Sequence, residues 1–225
     1  MTDTRLRTSN NALSGKSGTI LRELEIRFVR GEYLFGESLS INALAEEFDA
    51  SRQPVSMAVS HLRSMGYVTI VPQVGCKVVS PKKSEIADFF YMLGKAEGAL
   101  TGLAASRWVD DEIDQLQRIE VAISDTEFDT IEHRERYAAA VDGYHYKIHD
   151  IARSSRIADW LEGLWRVADF YLWQGTEQGL SSAKLKVANK ERRAIIRAIK
   201  QRDVSLAESL MESHVNGKPR RVGLI

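Results

Sequence analysis

The chain has 225 residues, of which 44% are hydrophobic and 28% charged, and its 31 basic and 31 acidic side chains give a net charge of zero. This composition is typical of a globular protein with one large domain or two modest ones. It excludes a membrane-spanning chain, because no apolar run approaches the roughly 18 residues that a span needs. The polar N-terminus predicts a disordered tail over residues 1–14 in place of a secretion signal. The single cysteine, Cys76, excludes an internal disulfide and indicates a cytoplasmic protein.

Basic side chains are unevenly distributed along the chain. Residues 50–83 contain five Lys or Arg side chains and no Asp or Glu. A basic patch within a neutral protein binds phosphate groups locally, so the zero net charge does not exclude a nucleic-acid partner. The alternative is an ordinary solvent-exposed surface, which would usually mix charges of both signs.

Residues 15–81 are predicted to form a first domain that begins with three helices. The first helix spans about residues 18–30. Its apolar stripe consists of Ile20, Leu24 and Phe28. The second helix begins after Ser40, a natural N-cap, and runs to Phe48. Only a short turn separates it from the third helix.

The third helix is predicted from the stretch SRQPVSMAVSHLRSMG at residues 51–66. Ser51 is the N-cap, Pro54 lies in the first turn, where a missing N–H costs nothing, and Gly66 provides the left-handed stop. The side chains that face inward are Val55, Val59 and Leu62. The opposite face carries small polar groups and one arginine at one-turn spacing: Arg52, Gln53, Ser56 and Ser60. Such a face suits close approach to a DNA groove, whereas a helix that only faces water commonly carries Glu and Lys pairs.

A β-hairpin is predicted after the third helix. The segments YVTIV and CKVVS flank the turn PQVG, which places Gly75 near the tip. Helix, short turn, helix and hairpin in this order indicate a winged helix-turn-helix, whose third helix enters the major groove of DNA. The alternative is a small helical domain whose third helix has no partner but water.

The second part of the chain is predicted to be an all-helical antiparallel bundle. Residues 82–218 contain no proline and show helical apolar spacing, and the segment from Lys190 to Val215 is predicted to form two helices with a break near Gln201. We place the domain boundary near Pro81 and expect a tail at residues 219–225. The expected fold class is therefore mainly α, with a winged helix-turn-helix of three helices and a small hairpin followed by the bundle.

Residues 31–79 resemble the DNA-binding domain of the GntR superfamily of bacterial transcription regulators. The family pattern runs G-x-x-x-x-G-x-x-L and then L-A-x-x-x-x-x-S-R-x-P-V-x-x-A. The matching positions are Gly31, Gly36, Leu39, Leu44, Ala45, Ser51, Arg52, Pro54, Val55, Ala58, Gly66 and Gly75. The proline-free second part resembles the helical effector domain of the FadR-like subgroup, and the resemblance implies a two-fold dimer on a palindromic operator. With the helix pattern it predicts a DNA-contact set of Ser40, Asn42, Ser51, Arg52, Gln53, Ser56, Ser60, Gly75 and Lys77.

Three departures from the family pattern affect the predicted operator. Family members usually carry arginine where this chain has Ser56, many carry one at the position of Asn42, and one commonly precedes the wing glycine, where this chain has Val74. Arginine is the usual bidentate reader of guanine, at about 1–3 kcal/mol for each contact. We therefore predict an operator that differs from the common one and depends on Arg52.

The resemblance also implies a pocket in the bundle. FadR-like proteins with a metal hold it through an aspartate and three histidines, and His145 and His214 match the first and last histidine positions. Arg192 stands at the middle histidine position and Val141 at the aspartate position, with Asp142 one residue later. Histidines and a carboxylate inside a bundle form a plausible metal or anion site.

We predict a pocket without a metal, in which Arg192, His145 and His214 bind an acidic effector. Arginine carries a fixed positive charge that repels metals, and it binds carboxylates through two parallel hydrogen bonds. The alternative is a zinc, nickel or manganese site formed by Asp142, His145 and His214. A further alternative is that these histidines only pack or cap helices. We interpret His149 as a surface or core residue.

These features predict a ligand-responsive transcription regulator, with repression favoured. A small anionic metabolite bound in the bundle would change the affinity for a double-stranded operator, and we expect a homodimer with no membrane partner. One alternative is a metal-dependent enzyme on the bundle, although the chain shows no nucleophile with a partnered base and no phosphate-binding loop. The other is an architectural DNA-binding protein that does not respond to ligands.

Overall fold

The computed structural model describes residues 13–71, 75–126, 130–179 and 182–225. Most of the predicted tail, residues 1–12, lies outside these ranges. Val74 also lies outside them. The first part contains α1 (Gly15–Val29), β1 (Ser38–Leu39), α2 (Ile41–Glu47), α3 (Arg52–Ser64), β2 (Val68–Val71) and β3 (Gly75–Val78). The strands form an antiparallel sheet in the order β1-β3-β2. The predicted winged helix-turn-helix is confirmed, and the two-residue strand β1 was not predicted.

The two predicted serine caps differ in the structure. Ser40 caps α2, because its hydroxyl accepts a hydrogen bond from the backbone N–H of Ala43 at 3.2 Å. Ser51 occupies the N-cap position of α3, but its side chain makes no capping hydrogen bond. The reason lies in Pro54, the third residue of the helix. Proline has no N–H, so one of the two donors that an N-cap side chain normally meets is missing.

The first domain has its own hydrophobic core beneath the recognition helix. The inward residues predicted on α1 and α3 are all buried: Ile20, Leu24, Phe28, Val55, Val59 and Leu62. Tyr67, which precedes β2, is also buried, and its ring centre lies 5.0 Å from that of Phe28. This core fixes α3 so that its opposite face points away from the protein.

Residues 83–221 form the predicted helical bundle. It consists of α4 (Lys83–Arg107), α5 (Glu112–Ser124), α6 (Ile131–Ala152), α7 (Ser155–Gly179), α8 (Ser182–Lys200) and α9 (Val204–Arg221). The predicted break near Gln201 separates α8 from α9. None of the helices in the described residues is both long and apolar enough to cross a membrane.

The C-terminal end of the bundle corrects the expected tail at residues 219–225. Helix α9 continues to Arg221 with Pro219 inside it and buried. A proline this close to the end of a helix removes only one of the last hydrogen bonds, and burial compensates for the loss. Leu224 and Ile225 then pack against the core of the bundle. The last residues of the chain therefore belong to the second domain.

Helices α4 and α9 approach each other closely because glycines line the contact. A Cβ atom on Gly98 would lie 2.9 Å from the backbone oxygen of Glu208, and one on Gly94 would lie 3.1 Å from that of Glu212. The first distance is shorter than real Cβ contacts and the second is tighter than most of them, so glycine favours this helix spacing. The close approach positions α9, which carries His214, against the centre of the bundle.

Helix α7 connects the two domains. Its residues Val167 and Phe170 are buried in the core of the first domain rather than that of the bundle. The ring of Phe170 lies edge-on to those of Phe28, at 5.2 Å between centres, and Phe35, at 5.4 Å. The two domains are thus packed against each other through one helix of the bundle.

Candidate nucleic-acid interface and buried cavity

The outward face of α3 is open to solvent. The four predicted contact residues on this helix, Arg52, Gln53, Ser56 and Ser60, are all exposed. The predicted contacts outside the helix are also accessible: Ser40, Asn42, Ser51 and Gly75 are exposed, and Lys77 is half-buried. Lys77 lies on β3 opposite Ser38 of β1 and Thr69 of β2. The helix face and the wing therefore both present polar groups to the outside.

An apolar side chain lies within the exposed face of α3. Met57 is 46% exposed, at an angular position beside Gln53 and Ser60. Met57 was not among the contacts predicted from the sequence, because an apolar residue in a helix is normally assigned to the core. Apolar side chains contact the methyl group of thymine in the major groove, so Met57 belongs with the predicted DNA contacts.

A buried carboxylate lies at the centre of the bundle. Glu97 of α4 is 0% exposed, and it receives hydrogen bonds from Trp165 Nε1 (2.6 Å), His149 Nε2 (2.7 Å) and His145 Nδ1 (3.0 Å). Burial alone would raise the pKa of Glu97, but the two histidines outweigh burial and lower it. Glu97 is therefore ionised and acts as the acceptor in all three bonds. We call these four residues the Glu97 cluster.

Lys218 of α9 contacts the outer side of the Glu97 cluster. Its Nζ lies 3.2 Å from Nε2 of His145 and 4.1 Å from the centre of the Trp165 ring. Because Nδ1–H of His145 is committed to Glu97, Nε2 carries the lone pair that accepts from the ammonium group. Burial, together with the charge of Lys218, lowers the pKa of His145 to about 4, so the ring is neutral at pH 7.

The charge of Lys218 is maintained despite burial. Burial lowers the pKa of Lys218 to about 8, and the carboxylates of Asp169 and Asp142 oppose this shift. The side chain is therefore mainly an ammonium ion at pH 7. Two acidic groups, from α6 and α7, oppose the charge of this partly buried cation.

His214 is held by a second buried group of charges. Its Nδ1 donates to Glu191 Oε2 at 2.7 Å, and Arg221 donates to both oxygens of Glu191 and to the backbone carbonyl of His214. Burial, followed by the charges of Lys218 and Arg221, lowers the pKa of His214. The ring is neutral with its proton on Nδ1. Its buried Nε2 has no hydrogen-bond partner among the described residues.

Arg192 of α8 is a buried charge with an unused donor. It is 1% exposed, its Nη2 donates to Asn189 Oδ1, and its guanidinium carbon lies 5.9 Å from the centre of the Tyr137 ring. Within the described ranges, Arg192 Nε has no hydrogen-bond partner. Leaving a donor of a buried charged group unpaired costs free energy, so this side chain is suited to an additional acceptor.

Arg192, His214 and Lys218 line a cavity of about 120 Å³, which is formed by α6, α7, α8 and α9. Its apolar wall consists of Ala138, Val141, Leu172, Trp173, Leu185, Ala188 and Val222. Its polar wall consists of Tyr137, Asp142, Asp169, Lys184, Arg192, His214, Lys218 and Arg221. Four basic side chains face two acidic ones, so positive charge predominates at this wall.

The residues around the cavity do not fit a divalent metal. The described part of the chain contains no group of three or more His, Cys, Asp or Glu side chains arranged to hold one. The lone pair of His145 Nε2 is used by Lys218, and the positive charges of Lys218, Arg192 and Arg221 would repel a metal. The structure therefore does not support the alternative metal site of Asp142, His145 and His214.

The structure separates the three residues predicted to bind the effector. Arg192 and His214 line the cavity, whereas His145 lies behind Lys218 as part of the Glu97 cluster. Asp142, predicted only as a metal ligand in the alternative site, also lines the cavity. His149 is neither surface nor plain core, because it hydrogen-bonds to the buried carboxylate.

Three important residues of the site were missed from the sequence: Glu97, Lys218 and Arg221. Glu97 interrupts an apolar stripe formed by Leu93, Leu100 and Ala104, and an acidic residue at such a position was the signal for a buried polar group. Lys218 and Arg221 follow His214 at four and seven residues and share its helical face. Arg221 was overlooked because it fell in the expected tail, and Lys218 because a lysine in a helix is normally assigned to the surface.

Two family models match the chain. "Bacterial regulatory proteins, gntR family" matches residues 16–78, and "FCD domain" matches residues 93–217, more than half of the chain. The HTH-type transcriptional repressor GlaR of Escherichia coli (strain K12) is 25% identical over 201 residues, covering 86% of this chain and 90% of that protein.

Solved structures agree with this fold. McbR/YncC of E. coli has a TM-score of 0.74 at 15% identity, covering 93% of this chain and 98% of that one. A GntR protein from Rhodococcus sp. RHA1 has a TM-score of 0.70 at 15% identity, with the same coverage of both chains.

The winged helix-turn-helix and the helical bundle with its cavity define a DNA-binding protein with a ligand-binding domain. The chain belongs to the GntR family of bacterial regulatory proteins and carries an FCD domain as its second domain. It is accordingly a transcription regulator rather than an enzyme, as are the families and relatives that it matches.

Proposed function

We propose that the protein is a repressor whose operator affinity falls when a small acidic metabolite binds in the cavity of the bundle. The observation that carries this proposal is the buried guanidinium of Arg192, which faces the cavity and has an unpaired Nε donor within the described residues. A carboxylate supplies the missing acceptor and neutralises the excess positive charge of the wall. Repression agrees with the role of the relative GlaR, a transcriptional repressor.

The volume of the cavity, which is partly open to solvent, favours a small effector. An engineered protein cavity of about 150 Å³ holds benzene, so about 120 Å³ corresponds to a molecule of about five or six non-hydrogen atoms. His214 adds a chemical requirement, because its unpaired Nε2 is an acceptor that needs a donor. We therefore propose a short carboxylic acid that also carries a hydroxyl or amino group.

Helix α7 is the route by which the effector would influence DNA binding. Trp173 of α7 lines the cavity. The next residue, Gln174, accepts a hydrogen bond from the backbone N–H of Phe35 at 3.1 Å and donates to the carbonyl of Tyr33 at 3.0 Å. A ligand that shifts α7 therefore shifts the first domain, provided that it binds the two arrangements with different affinities.

The test combines a DNA-binding assay with a panel of acids. An operator is first selected from random DNA with the full-length protein, and its affinity is measured by fluorescence anisotropy with hydroxy, amino and unsubstituted acids of two to six carbons. We expect at least one hydroxy or amino acid to weaken operator binding by about tenfold. Arg192→Met should abolish this response, and Lys190→Met, an exposed position on the same helix, should retain it.

The results of this panel distinguish the proposed repressor from the other candidate functions. An architectural DNA-binding protein would bind DNA equally well with every acid in the panel, and that result would contradict a ligand-responsive repressor. An acid that tightens operator binding would show instead that the ligand promotes DNA binding. A response that survives Arg192→Met would remove Arg192 from the effector site.

We further propose a homodimer on a palindromic operator. Two exposed apolar side chains one turn apart on α7 support an interface between copies: Trp160 is 60% exposed and Ile157 is 46% exposed. Aromatic residues are enriched at protein interfaces. Light scattering should give twice the mass of the chain, and Trp160→Glu should reduce it to one chain and weaken operator binding. An unchanged mass in this variant would place the interface elsewhere.

A further inference from the structure

The surroundings of His145 are those of a metal ligand, yet the cation that it faces is a lysine. Histidines that bind metals present one ring nitrogen to the metal and donate the other N–H to a carboxylate, which fixes the tautomer and the ring orientation. His145 donates Nδ1–H to Glu97 at 3.0 Å and presents Nε2 to Lys218 at 3.2 Å. The ammonium group is thus at the position from which a metal would accept the lone pair.

Lys218 is retained at this position by several independent contacts. Its Nζ lies 4.1 Å from the centre of the Trp165 ring, within the range of a cation–π contact. The carboxylates of Asp142 on α6 and Asp169 on α7 attract it, while Arg192 on α8 and Arg221 on α9 repel it. The side chain also lines the cavity, so one end of the ammonium group faces the space for a ligand.

We infer that Lys218 replaces a divalent cation in this site: its ammonium group occupies the metal position beside His145, excludes a metal, and contacts the anionic group of the effector. The third part rests on the proposed function, whereas the exclusion of a metal stands without it. An ammonium ion offers a single charge and no open coordination positions. The site therefore selects its ligand by charge and hydrogen bonds rather than by chelation.

The first arm of the test measures metal binding with Ni²⁺ as the probe. Full-length wild type, Lys218→Ala, Lys218→Arg and the double variant Lys218→Ala/His145→Ala are dialysed against Ni²⁺, and bound metal is determined by elemental analysis. We expect Lys218→Ala to bind Ni²⁺ at His145, because removal of the ammonium group frees Nε2 as a ligand and takes away one of the positive charges beside it. Wild type and Lys218→Arg should lack this site, and the double variant should lose it.

The second arm asks whether the ammonium group anchors an anion. The acid from the panel that changes operator binding by wild type is tested on Lys218→Ala with and without Ni²⁺. We expect the variant to lose at least about tenfold in affinity for the acid, and to recover part of it when Ni²⁺ is present. A merely structural role for Lys218 would give no recovery with metal.

The results that overturn the inference are distinct from those that overturn the proposed function. Stoichiometric Ni²⁺ in wild type that is lost in His145→Ala, or no gain of metal in Lys218→Ala, would show that Lys218 does not replace a metal. If no acid acts on wild type, the acidic effector fails while the metal arm still decides the role of Lys218. Circular dichroism checks folding, and Lys218→Gln, which removes the charge at similar length, replaces Lys218→Ala if the latter does not fold.

Discussion

The recognition face of α3 and the cavity of the bundle are built in opposite ways. The recognition face comes from a single helix of thirteen residues, and its polar side chains are all exposed. The cavity takes residues from four helices, and its most important groups, such as Arg192 and His214, are about 1% exposed. The DNA-contact surface therefore arises from periodicity within one helix. The ligand site depends on how helices that are distant in the sequence pack together.

The two regions also differ in how they combine function with stability. A polar side chain on α3 is hydrated in the free protein, so its removal should affect DNA binding and leave the fold intact. Polar groups around the cavity are buried or partly buried, so their loss leaves partners without hydrogen bonds. Substitutions in the two regions test this contrast, because the expected effects differ in kind and in size.

The largest effect is expected at Glu97. Replacement by glutamine places an amide N–H₂ against one of three donors from His145, His149 and Trp165. We expect Glu97→Gln to lower the free energy of unfolding by about 3 kcal/mol, because a buried donor is left unpaired and a charged acceptor is lost. Urea unfolding at pH 7 measures this change. Asp88→Asn, an exposed position on the same helix, should leave stability unchanged, and equal effects in both variants would contradict a special role for Glu97.

The same carboxylate predicts a loss of stability in acid. The pKa of Glu97 is lowered in the folded protein from its ordinary value of 4.5, so its contribution is fully present above pH 4.5 and is lost as the pH falls below it. Urea unfolding should therefore show that the unfolding free energy of wild type decreases as the pH falls from 4.5 to 3. An unchanged free energy over this range would show that the carboxylate is not stabilised in the folded state.

A large effect on function alone is expected at Arg52. A bidentate contact to guanine contributes about 1–3 kcal/mol, so Arg52→Ala should weaken operator binding by about ten- to a hundredfold. The melting temperature and the response to the effector should not change, because the side chain is exposed. Anisotropy and thermal unfolding on the same samples measure both. A fall in melting temperature would show that the face is not independent of the fold.

An intermediate effect is expected where α4 meets α9. Gly98→Ala places a Cβ 2.9 Å from the Glu208 carbonyl, and the resulting displacement should lower the free energy of unfolding by about 1–2 kcal/mol. The matched control is Gly163→Ala on α7, where a Cβ meets nothing within 4 Å. That substitution should stabilise the protein by about 0.5–1 kcal/mol through helix propensity. The opposite signs of the two changes in unfolding free energy distinguish a steric clash at Gly98 from the general gain in helix propensity when alanine replaces glycine.

The smallest effect is expected at the contact between the two regions. Gln174→Ala removes two hydrogen bonds to the backbone of the first domain, at Tyr33 and Phe35. We expect the coupling free energy between effector binding and DNA binding to fall by about 1 kcal/mol. Operator affinity without effector should change little, while the change caused by the effector should shrink by about fivefold. Gln201→Ala, an exposed position, is the control. An undiminished response in Gln174→Ala would exclude α7 as the connection proposed above.

Several features of the fold were predictable because they depend on neighbouring residues. The order of helices and hairpin in the first domain, the cap at Ser40 and the helix break near Gln201 all follow from local patterns, and the structure confirms them. Ser51 shows where a local rule failed, since the same proline that favours the helix start removes a donor from the cap. At Pro219 the packing of the chain end outweighed the local tendency to end the helix.

The candidate site was predictable only in part. Resemblance directed attention to Arg192 and His214, which do line the cavity. It also directed attention to His145, whose partner Glu97 lies 48 residues earlier in the chain and whose other neighbour, Lys218, lies 73 residues later. No periodicity within one helix joins these three residues.

The sequence by itself determined that this chain forms a winged helix-turn-helix with an exposed polar recognition face, because helix caps, apolar spacing and turn glycines act over a few residues. It also determined a helical second domain, since a long segment without proline with one apolar stripe per helix has few other solutions. Only the tertiary structure decided the chemistry of the cavity. The charge state of Glu97, the proton position on His145 and the place of Lys218 depend on burial and on partners from other helices, which sequence spacing does not specify.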